Sequence, residues 1–401
     1  MPPRRRTETR SKRKARSLHA AIGVSIPQHA DVCVIGGGAA GIVAAIAAAE
    51  HGAQVVVLER DAECGKTILA TGNGRCNFAN RHLDPQLYND PAFVCAVCGK
   101  QWLDDVLDFF EASGLFWAEE SEGRLYPLSR QAASVRTVLL ARANRAGVLF
   151  GPAREVTQMT HTKRDASVTY RETWPQGGLG ALSASALVIA VGGGETFLQN
   201  ASLSYTKPTP LLCPIACVHP IFEALDGRRV RARVSLLRDG AHRATEQGEV
   251  LFRTYGLSGI AVFNLSRHAA PEDTICMDLL PTLSLECAQA YGTIALEGIL
   301  DPVIADALRS FTSSNEEAIS LAKSLSCRIV GLTETNHAQV HRGGLATAQF
   351  DPRTLRLQST EPLYACGEGL DVDGPCGGYN LAWAWKSGMV AGASAAKEVL
   401  R

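Results

Sequence analysis

The sequence predicts an α/β fold in which a Rossmann-like, parallel-sheet dinucleotide-binding domain is interrupted by an inserted β-barrel-like and small helical domain. Three observations carry that expectation. An apolar run, Val32 to Ile35, ends in Gly36-Gly37-Gly38-Ala39-Ala40-Gly41 and leads into an alanine-rich helical stretch. A second apolar run, Val55 to Leu58, closes on the acid Glu59. Between Cys217 and Phe263, short apolar runs alternate with Asp226-Gly227 and Asp239-Gly240, the turn chemistry of antiparallel hairpins.

The chain has 401 residues, 46% hydrophobic and 20% charged, which excludes a disordered tail protein and a disulfide-stapled miniprotein and requires a sizeable core. Lys and Arg total 40, as do Asp and Glu, but residues 1 to 16 hold eight basic side chains and one acidic one, leaving 32 basic against 39 acidic in the remainder. An acidic body is not the footprint of a dedicated nucleic-acid binder. The first 27 residues read as a disordered basic tail without apolar periodicity. No apolar stretch approaches the ~20 residues that span a bilayer, so a cytoplasmic protein with reduced thiols is expected.

In the first βαβ unit each residue has a task. Gly36 permits a tight turn, Gly38 lets backbone approach a pyrophosphate, and Gly41 lets helix and strand pack closely. Gly52 follows the helix as a C-terminal glycine. The helix N-terminus offers unpaired N–H groups to phosphates, and Glu59, 18 positions beyond Gly41, accepts both hydroxyls of an adenosine ribose. The segment Lys66 to Asn80 is a glycine and amide loop whose Thr71, Gly72, Asn73, Arg75, Cys76 and Asn77 can lay N–H donors and a guanidinium along a phosphate or a polar ring edge.

Ala92 to Phe110 has helical apolar spacing and carries Cys95 and Cys98 on one face, read as structural thiols, as are Cys213 and Cys217. Ser284 to Leu325 reads as short helices. Near the C-terminus, Pro362 to Cys366 is strand-like and runs into Gly367-Glu368, followed by glycines and a helix from about Leu381 to Leu400. Trp383 and Trp385 lie nearly opposite on that helix, so one is expected to pack and the other to pack as well or to border the insert or a partner, core duty being the favoured reading. The resulting organisation is a nucleotide-binding domain in two parts, 28–200 and 335–401, around an insert at 201–334.

Several motifs, in order, match one known group: Gly36 to Gly41, T-G-N-G-R-C-N within Lys66 to Asn80, Gly123-Arg124-Leu125-Tyr126-Pro127-Leu128-Ser129, Gly248 to Phe252 with Gly256-Leu257-Ser258-Gly259, and G-E-G-L-D-V-D-G-P-C-G-G-Y-N-L-A-W-A-W from Gly367. From Asp31 onward the chain resembles the bacterial NAD(P)/FAD-dependent oxidoreductases of the bile-acid 3-dehydro dienoyl reductase type, also described as aminoacetone-oxidase-family FAD-binding enzymes. The resemblance implies an FAD domain of the glutathione-reductase (two-dinucleotide-binding-domain) type. Leu187 to Gly194 would supply a strand and glycine turn containing Gly192 and Gly193. Ala39, Ala40, Arg60, Lys66, Val156 and Gly193 would line the adenine and phosphates. Glu368, flanked by Gly367 and Asp371, would bind the ribitol, and Gly378, Tyr379, Asn380 and Leu381 would face the pyrimidine end of the flavin.

The chain departs from the group's pattern after Gly194, passing quickly to Pro208, and it has His341 where a threonine is common. The pocket is therefore expected to differ. Tyr126, His341 and Tyr379 are the candidate proton donors. The expected reaction is hydride transfer from NAD(P)H through flavin N5 to an electron-poor small organic acceptor of enone, diene or imine type. No second fingerprint exists, so the nicotinamide is expected to dock transiently. The alternatives are a flavoprotein that binds or modifies nucleic acid such as tRNA, supported by the tail, and a disulfide reductase using Cys95 and Cys98. The expected partner is a small molecule, without metal or membrane and with nucleic acid disfavoured; a homo-oligomer is left open.

Overall fold

A computed structural model describes residues 24–162, 165–174, 177–359 and 361–401. Residues 1–23, most of the expected tail, lie outside it. The expected tail ends early: the Val24 carbonyl accepts from Arg154 Nη2 at 2.6 Å, and Ile26 packs against the core, because these residues extend the approach to the first strand.

The chain divides into two compact units, one formed by residues up to Thr209 together with Arg342–Arg401, the other by Pro210–His341. The insert starts nine residues later and ends seven later than the boundaries of 201 and 334 read from the sequence. The strands Tyr205–Leu211 and Val340–Leu345 pair as a separate two-stranded sheet, a non-local pairing that composition does not announce.

In the first unit, His29–Ile35 pairs in parallel with Val55–Leu58 on one side and with Leu179–Ile189 on the other. Val55–Leu58 pairs in parallel with Leu149–Gly151. The Leu179–Ile189 strand branches: its first half pairs antiparallel with Ala166–Glu172, and its last residues pair in parallel with Leu363–Ala365. Leu149–Gly151, Val55–Leu58, His29–Ile35, Leu179–Ile189 and Leu363–Ala365 therefore lie side by side and parallel, the doubly wound order with its switch point between His29–Ile35 and Leu179–Ile189. Val32–Ile35, Val55–Leu58, Ala186–Ile189 and Leu363–Ala365 are buried and almost wholly apolar, as parallel strands covered on both faces must be.

The helix Ala39–Glu50 is buried from Ala40 to Ala48 and crosses the C-terminal helix Tyr379–Val399. A Cβ on Gly392 would overlap the Ala44 carbonyl oxygen, so only glycine allows this approach. The expected helical stretch from Ala92 to Phe110 is two helices, Pro91–Cys98 and Trp102–Ala112, broken where Gly99 takes φ +66°. Trp383 and Trp385 are both fully buried, the core duty favoured for them from the sequence. The helix is enclosed: Trp383 Nε1 donates to the Gly367 carbonyl at 3.0 Å, and Trp385 Nε1 to that of Phe78 at 2.8 Å.

In the second unit, six strands close a barrel in the order Ile215–Val218, Gly256–Ser258, Ala241–Arg253, Arg229–Arg238, Thr274–Asp278 and Leu325–Leu332. Asp239 and Gly240 both take positive φ between paired Arg238 and Ala241, the primed hairpin turn their sequence demands. Val234, Leu236, Val250, Phe252, Ile275 and Met277 fill the interior, and the helices Leu285–Gly292, Pro302–Arg309 and Asn315–Lys323 extend this core.

Candidate functional site

The crevice at the switch point is built from the loops that follow Ile35, Leu58, Ile189 and Ala365. Gly36 takes φ +104°, and a Cβ there would overlap the Ala190 carbonyl; a Cβ on Gly41 would overlap the carbonyl of Gly36. These two glycines are required by the protein's own backbone. Gly38 differs: the nearest atom to a Cβ would be Thr67 Oγ1 at 3.6 Å, so room is left beside it. Gly38 is also the N-cap of Ala39–Glu50, which has no side-chain cap and no acid in its first turn, so Ala39 and Ala40 begin a helix whose positive end is not capped by a side chain.

Glu59 closes the other side. Its carboxylate accepts from Gly37 N and Asp61 N, both at 2.7 Å, and burial raises its pKa despite those bonds. Arg154 N donates to the Glu59 carbonyl at 2.7 Å, which brings the strand Arg154–His161, with buried Val156, to this edge. The Arg60 carbonyl accepts from Thr173 Oγ1, and Lys66 pairs with Asp61 at 2.8 Å in an exposed position. Gly192 takes φ +58° with nothing within 4 Å of a Cβ, and Gly193 follows it in the turn after the central strand.

The second half comes from the C-terminal motif. Gly367 N donates to Ser387 Oγ at 2.9 Å, and a Cβ on Gly367 would stand 2.7 Å from that of Ala40, so this turn lies on the first helix. Glu368 is half-buried in the turn Gly367–Gly369. Asp371 Oδ1 accepts from Gly343 N at 3.0 Å and Asn89 Nδ2 at 3.2 Å, bonds that fix the loop. Asn380 folds its carboxamide back onto Gly374, and Tyr379 OH donates to the His82 carbonyl at 3.1 Å, so these two side chains brace the entry to the helix. Gly378, the N-cap at φ +102°, precedes half-buried Leu381, and this helix also lacks a side-chain cap.

The Lys66–Asn80 segment lies against that helix. Thr71 Oγ1 donates to the Ile68 carbonyl at 2.6 Å, Gly72 and Asn73 both take φ +54°, and Cys76 N donates to the Thr71 carbonyl. Burial pushes the Cys76 thiol up to about 12. Arg75 pairs with Glu120, which also holds Arg130 at 2.7 Å, and its guanidinium lies 4.4 Å from the centre of the Tyr126 ring. Tyr126 is buried, which raises its pKa. Asn77 is buried, and its Oδ1 has no hydrogen-bond partner.

Thus Gly36, Gly38, Glu59, Gly367 and the first turn of Ala39–Glu50 converge, and Gly72, Asn77, Tyr126 and Gly378 form a second cluster in the same unit. His341 belongs to the second unit, half-buried on Val340–Leu345. Cys95 is exposed and Cys98 buried on Pro91–Cys98, and the described cysteines are free thiols. Sequence reasoning missed Ser387, whose signal was a polar residue within an apolar helical stretch. It also missed Asn80, whose Nδ2 donates to the Gly377 carbonyl at 2.9 Å, and the fully buried Asp373, bonded by both oxygens to Arg342 at 2.8 and 2.9 Å. Among the described residues no cluster of metal-ligating side chains occurs and no helix is long and apolar enough to cross a membrane.

These residues fit FAD. An uncapped helix N-terminus beside an open glycine suits a pyrophosphate, Glu59 supplies the acid for a ribose, and a second uncapped helix end with an unmatched buried acceptor suits a polar ring.

Comparison with known proteins agrees. The HI0933-like protein Rossmann domain matches residues 30–203 and 293–394, and the HI0933-like protein barrel and H2TH domain matches 209–311. The chain is 33% identical to the 3-dehydro-bile acid delta(4,6)-reductase of Clostridium scindens, covering 91% of this chain and 98% of that protein. It is 27% identical to the ribosomal RNA dihydrouridine synthase of Escherichia coli, covering 89% and 96%. Among solved structures, the 3-ketosteroid-delta4-(5alpha)-dehydrogenase of Rhodococcus jostii shares the fold at a TM-score of 0.51 and 15% identity, covering 94% of this chain and 99% of that one. The chain belongs to the HI0933-like family of FAD-dependent oxidoreductases.

Proposed function

We propose that this chain reduces a carbon–carbon double bond conjugated to a carbonyl, with NAD(P)H as the electron donor and a small, electron-poor organic molecule as the acceptor. The observation that carries this reading is the pair of uncapped helix ends in one unit, in a chain aligned nearly end to end with two differently named relatives. The names of both relatives describe the addition of two hydrogens across such a bond, one in a 3-dehydro-bile acid and one in the uracil ring of ribosomal RNA.

Bound FAD would supply two-electron transfer at N5 between a nicotinamide and the acceptor. The chain's residues divide the remaining work. The first turn of Ala39–Glu50 and Gly38 hold the pyrophosphate, Glu59 the adenosine ribose, and Glu368 the ribitol. The donor gives a hydride that ends on the β-carbon of the acceptor, and a proton must reach the α-carbon, so NAD(P)H, H⁺ and the unsaturated carbonyl become NAD(P)⁺ and the saturated product. Tyr126 is the residue assigned to the proton's delivery, because its phenol is a neutral donor at pH 7 and its ring lies in the cluster with Gly72 and Asn77. Arg75, stacked on the ring and pinned by Glu120, fixes the orientation of that phenol.

A second reading keeps the chemistry and changes the acceptor to a uracil base in RNA; the dihydrouridine synthase relatives favour it. The test is anaerobic. Purified yellow protein is mixed with NADH or NADPH, and the bleached enzyme is offered a steroid enone or a uridine-containing RNA. Bleaching followed by recolouring with one acceptor identifies the reaction. Failure of both nicotinamides to bleach it would remove the donor assignment.

A further inference from the structure

We infer that Asn77, set against the N-cap of the closing helix, recognises a cyclic amide edge, an N–H beside a carbonyl, and that in the resting protein this edge belongs to the pyrimidine ring of the flavin. The inference rests on the FAD reading given above.

Its first support is an unmatched atom. The Asn77 side chain is 9% exposed and its Oδ1 is buried without any hydrogen-bond partner. Buried acceptors in folded chains are otherwise nearly always paired, so such an oxygen points to a donor that the chain itself does not supply.

The second support is position. A Cβ on Gly378 would stand 2.4 Å from the Ala79 carbonyl oxygen and 2.9 Å from Asn77 Oδ1, so the unmatched acceptor lies beside the N-cap of Tyr379–Val399, where the Ala79 backbone also packs. That helix has no side-chain cap and no acid in its first turn, leaving N–H donors and a positive dipole end beside the acceptor. On the other side, a Cβ on Gly72 would stand 2.9 Å from Asn77 N and 3.7 Å from Tyr126 Cε1. Glycine at both positions lets the backbone of Ala79 and of Asn77 approach closely, which fixes where the Asn77 side chain sits.

A lone acceptor next to clustered donors is complementary to a ligand edge that gives one N–H and receives at an adjacent carbonyl oxygen. The isoalloxazine pyrimidine presents that edge at N3–H and its flanking carbonyls. A uracil base presents the same edge, so one chemistry has two sources, which experiment separates.

The test uses full-length protein stripped of flavin and titrated with FAD and with N3-methyl-FAD, which cannot donate. Binding is followed by quenching of flavin fluorescence, for wild type and Asn77→Leu. Wild type should prefer FAD by about 5- to 100-fold, the range expected when a hydrogen bond to a buried acceptor is lost. In Asn77→Leu the preference should fall below about twofold, with circular dichroism confirming an unchanged fold. Should wild type bind both flavins equally while Asn77→Leu alone loses equilibrium binding of uridine to the flavin-loaded protein, the edge is the substrate's, and the amide-recognition role stands with that source. A preference that survives in Asn77→Leu, or its absence from wild type with uridine binding unaffected, overturns the inference and leaves the FAD reading intact. A wild-type apoprotein that takes up no flavin overturns both.

Discussion

A Cβ on Gly388 would stand 2.6 Å from the carbonyl oxygen of Ala40, so the first and last helices of the nucleotide-binding unit meet backbone to backbone. Gly392 repeats the approach against Ala44 one turn later. This seam joins the N-terminal half of Ala39–Glu50 to the middle of Tyr379–Val399 across more than 300 residues of sequence, in the same region where Gly367 lies on Ala40.

Glycines at the seam and the glycine proposed to meet the cofactor should therefore separate in their effects. Gly388→Val should lower stability by about 1–3 kcal/mol or more through overpacking, read as a fall in Tm. Gly38→Val, where a side chain meets only Thr67 Oγ1 at 3.6 Å, should keep the Tm of the apoprotein and lose the yellow colour. Full flavin retention in Gly38→Val would refute the pyrophosphate assignment.

Glu59 should govern nucleotide affinity. Glu59→Ala should weaken FAD binding by about 10- to 100-fold, the loss expected for charge-assisted hydrogen bonds of about 1.5–3 kcal/mol. Burial raises the pKa of this carboxyl, so its acceptor form is lost on acidification sooner than an ordinary glutamate near ~4.3 would be. Wild-type affinity should decline as pH falls towards that range, and Glu59→Gln should show a flatter profile; equilibrium titration across pH decides.

The thiols should differ sharply in reactivity. Cys95 is exposed, whereas burial holds Cys33, Cys76 and Cys366 up to about 12, far from the thiolate form. Iodoacetamide at neutral pH should label Cys95 first and leave those three until the chain unfolds, as peptide mapping would show. Cys95→Ser should leave turnover unchanged; loss of turnover would favour the disulfide-reductase alternative.

In the barrel unit, Asp273 accepts from Arg238 Nε and Nη2, both at 2.8 Å, and from Ala270 N. Its pKa is lowered, chiefly by the Arg238 bond. A lowered acid pKa means that the stabilisation is full above the unfolded value and is lost as pH falls through the folded one. Asp273→Asn should cost about 1–2 kcal/mol at pH 7, discounted for the partly exposed Arg238, and the difference from wild type should shrink below pH ~4 in urea titrations.

Much of the backbone framework of the candidate site was legible because its signals are local. Gly36 needs positive φ, Gly52 ends a helix in the same region, and Glu59 sits one residue past a strand of four apolar residues. Each property follows from a residue and its neighbours along the chain. Arg75 shows the opposite case: its place in a loop of amides pointed towards a phosphate or ring edge, yet the structure commits it to Glu120 and the Tyr126 ring, partners about 50 residues away. His341 stood just before the C-terminal motif in sequence but belongs to the other unit, since the division falls between it and Arg342.

The order of residues alone determined the strand, glycine turn, helix and acid of the first βαβ unit, the Asp239-Gly240 hairpin and the glycines before the last helix, because backbone conformation and short-range periodicity are set by adjacent side chains. Tertiary structure alone decided that Gly99 would split a helical stretch and that Asn77 would keep an unmatched oxygen beside Gly378. Burial and hydrogen-bond satisfaction depend on which distant segments arrive in the same space, and that is a property of the packed chain.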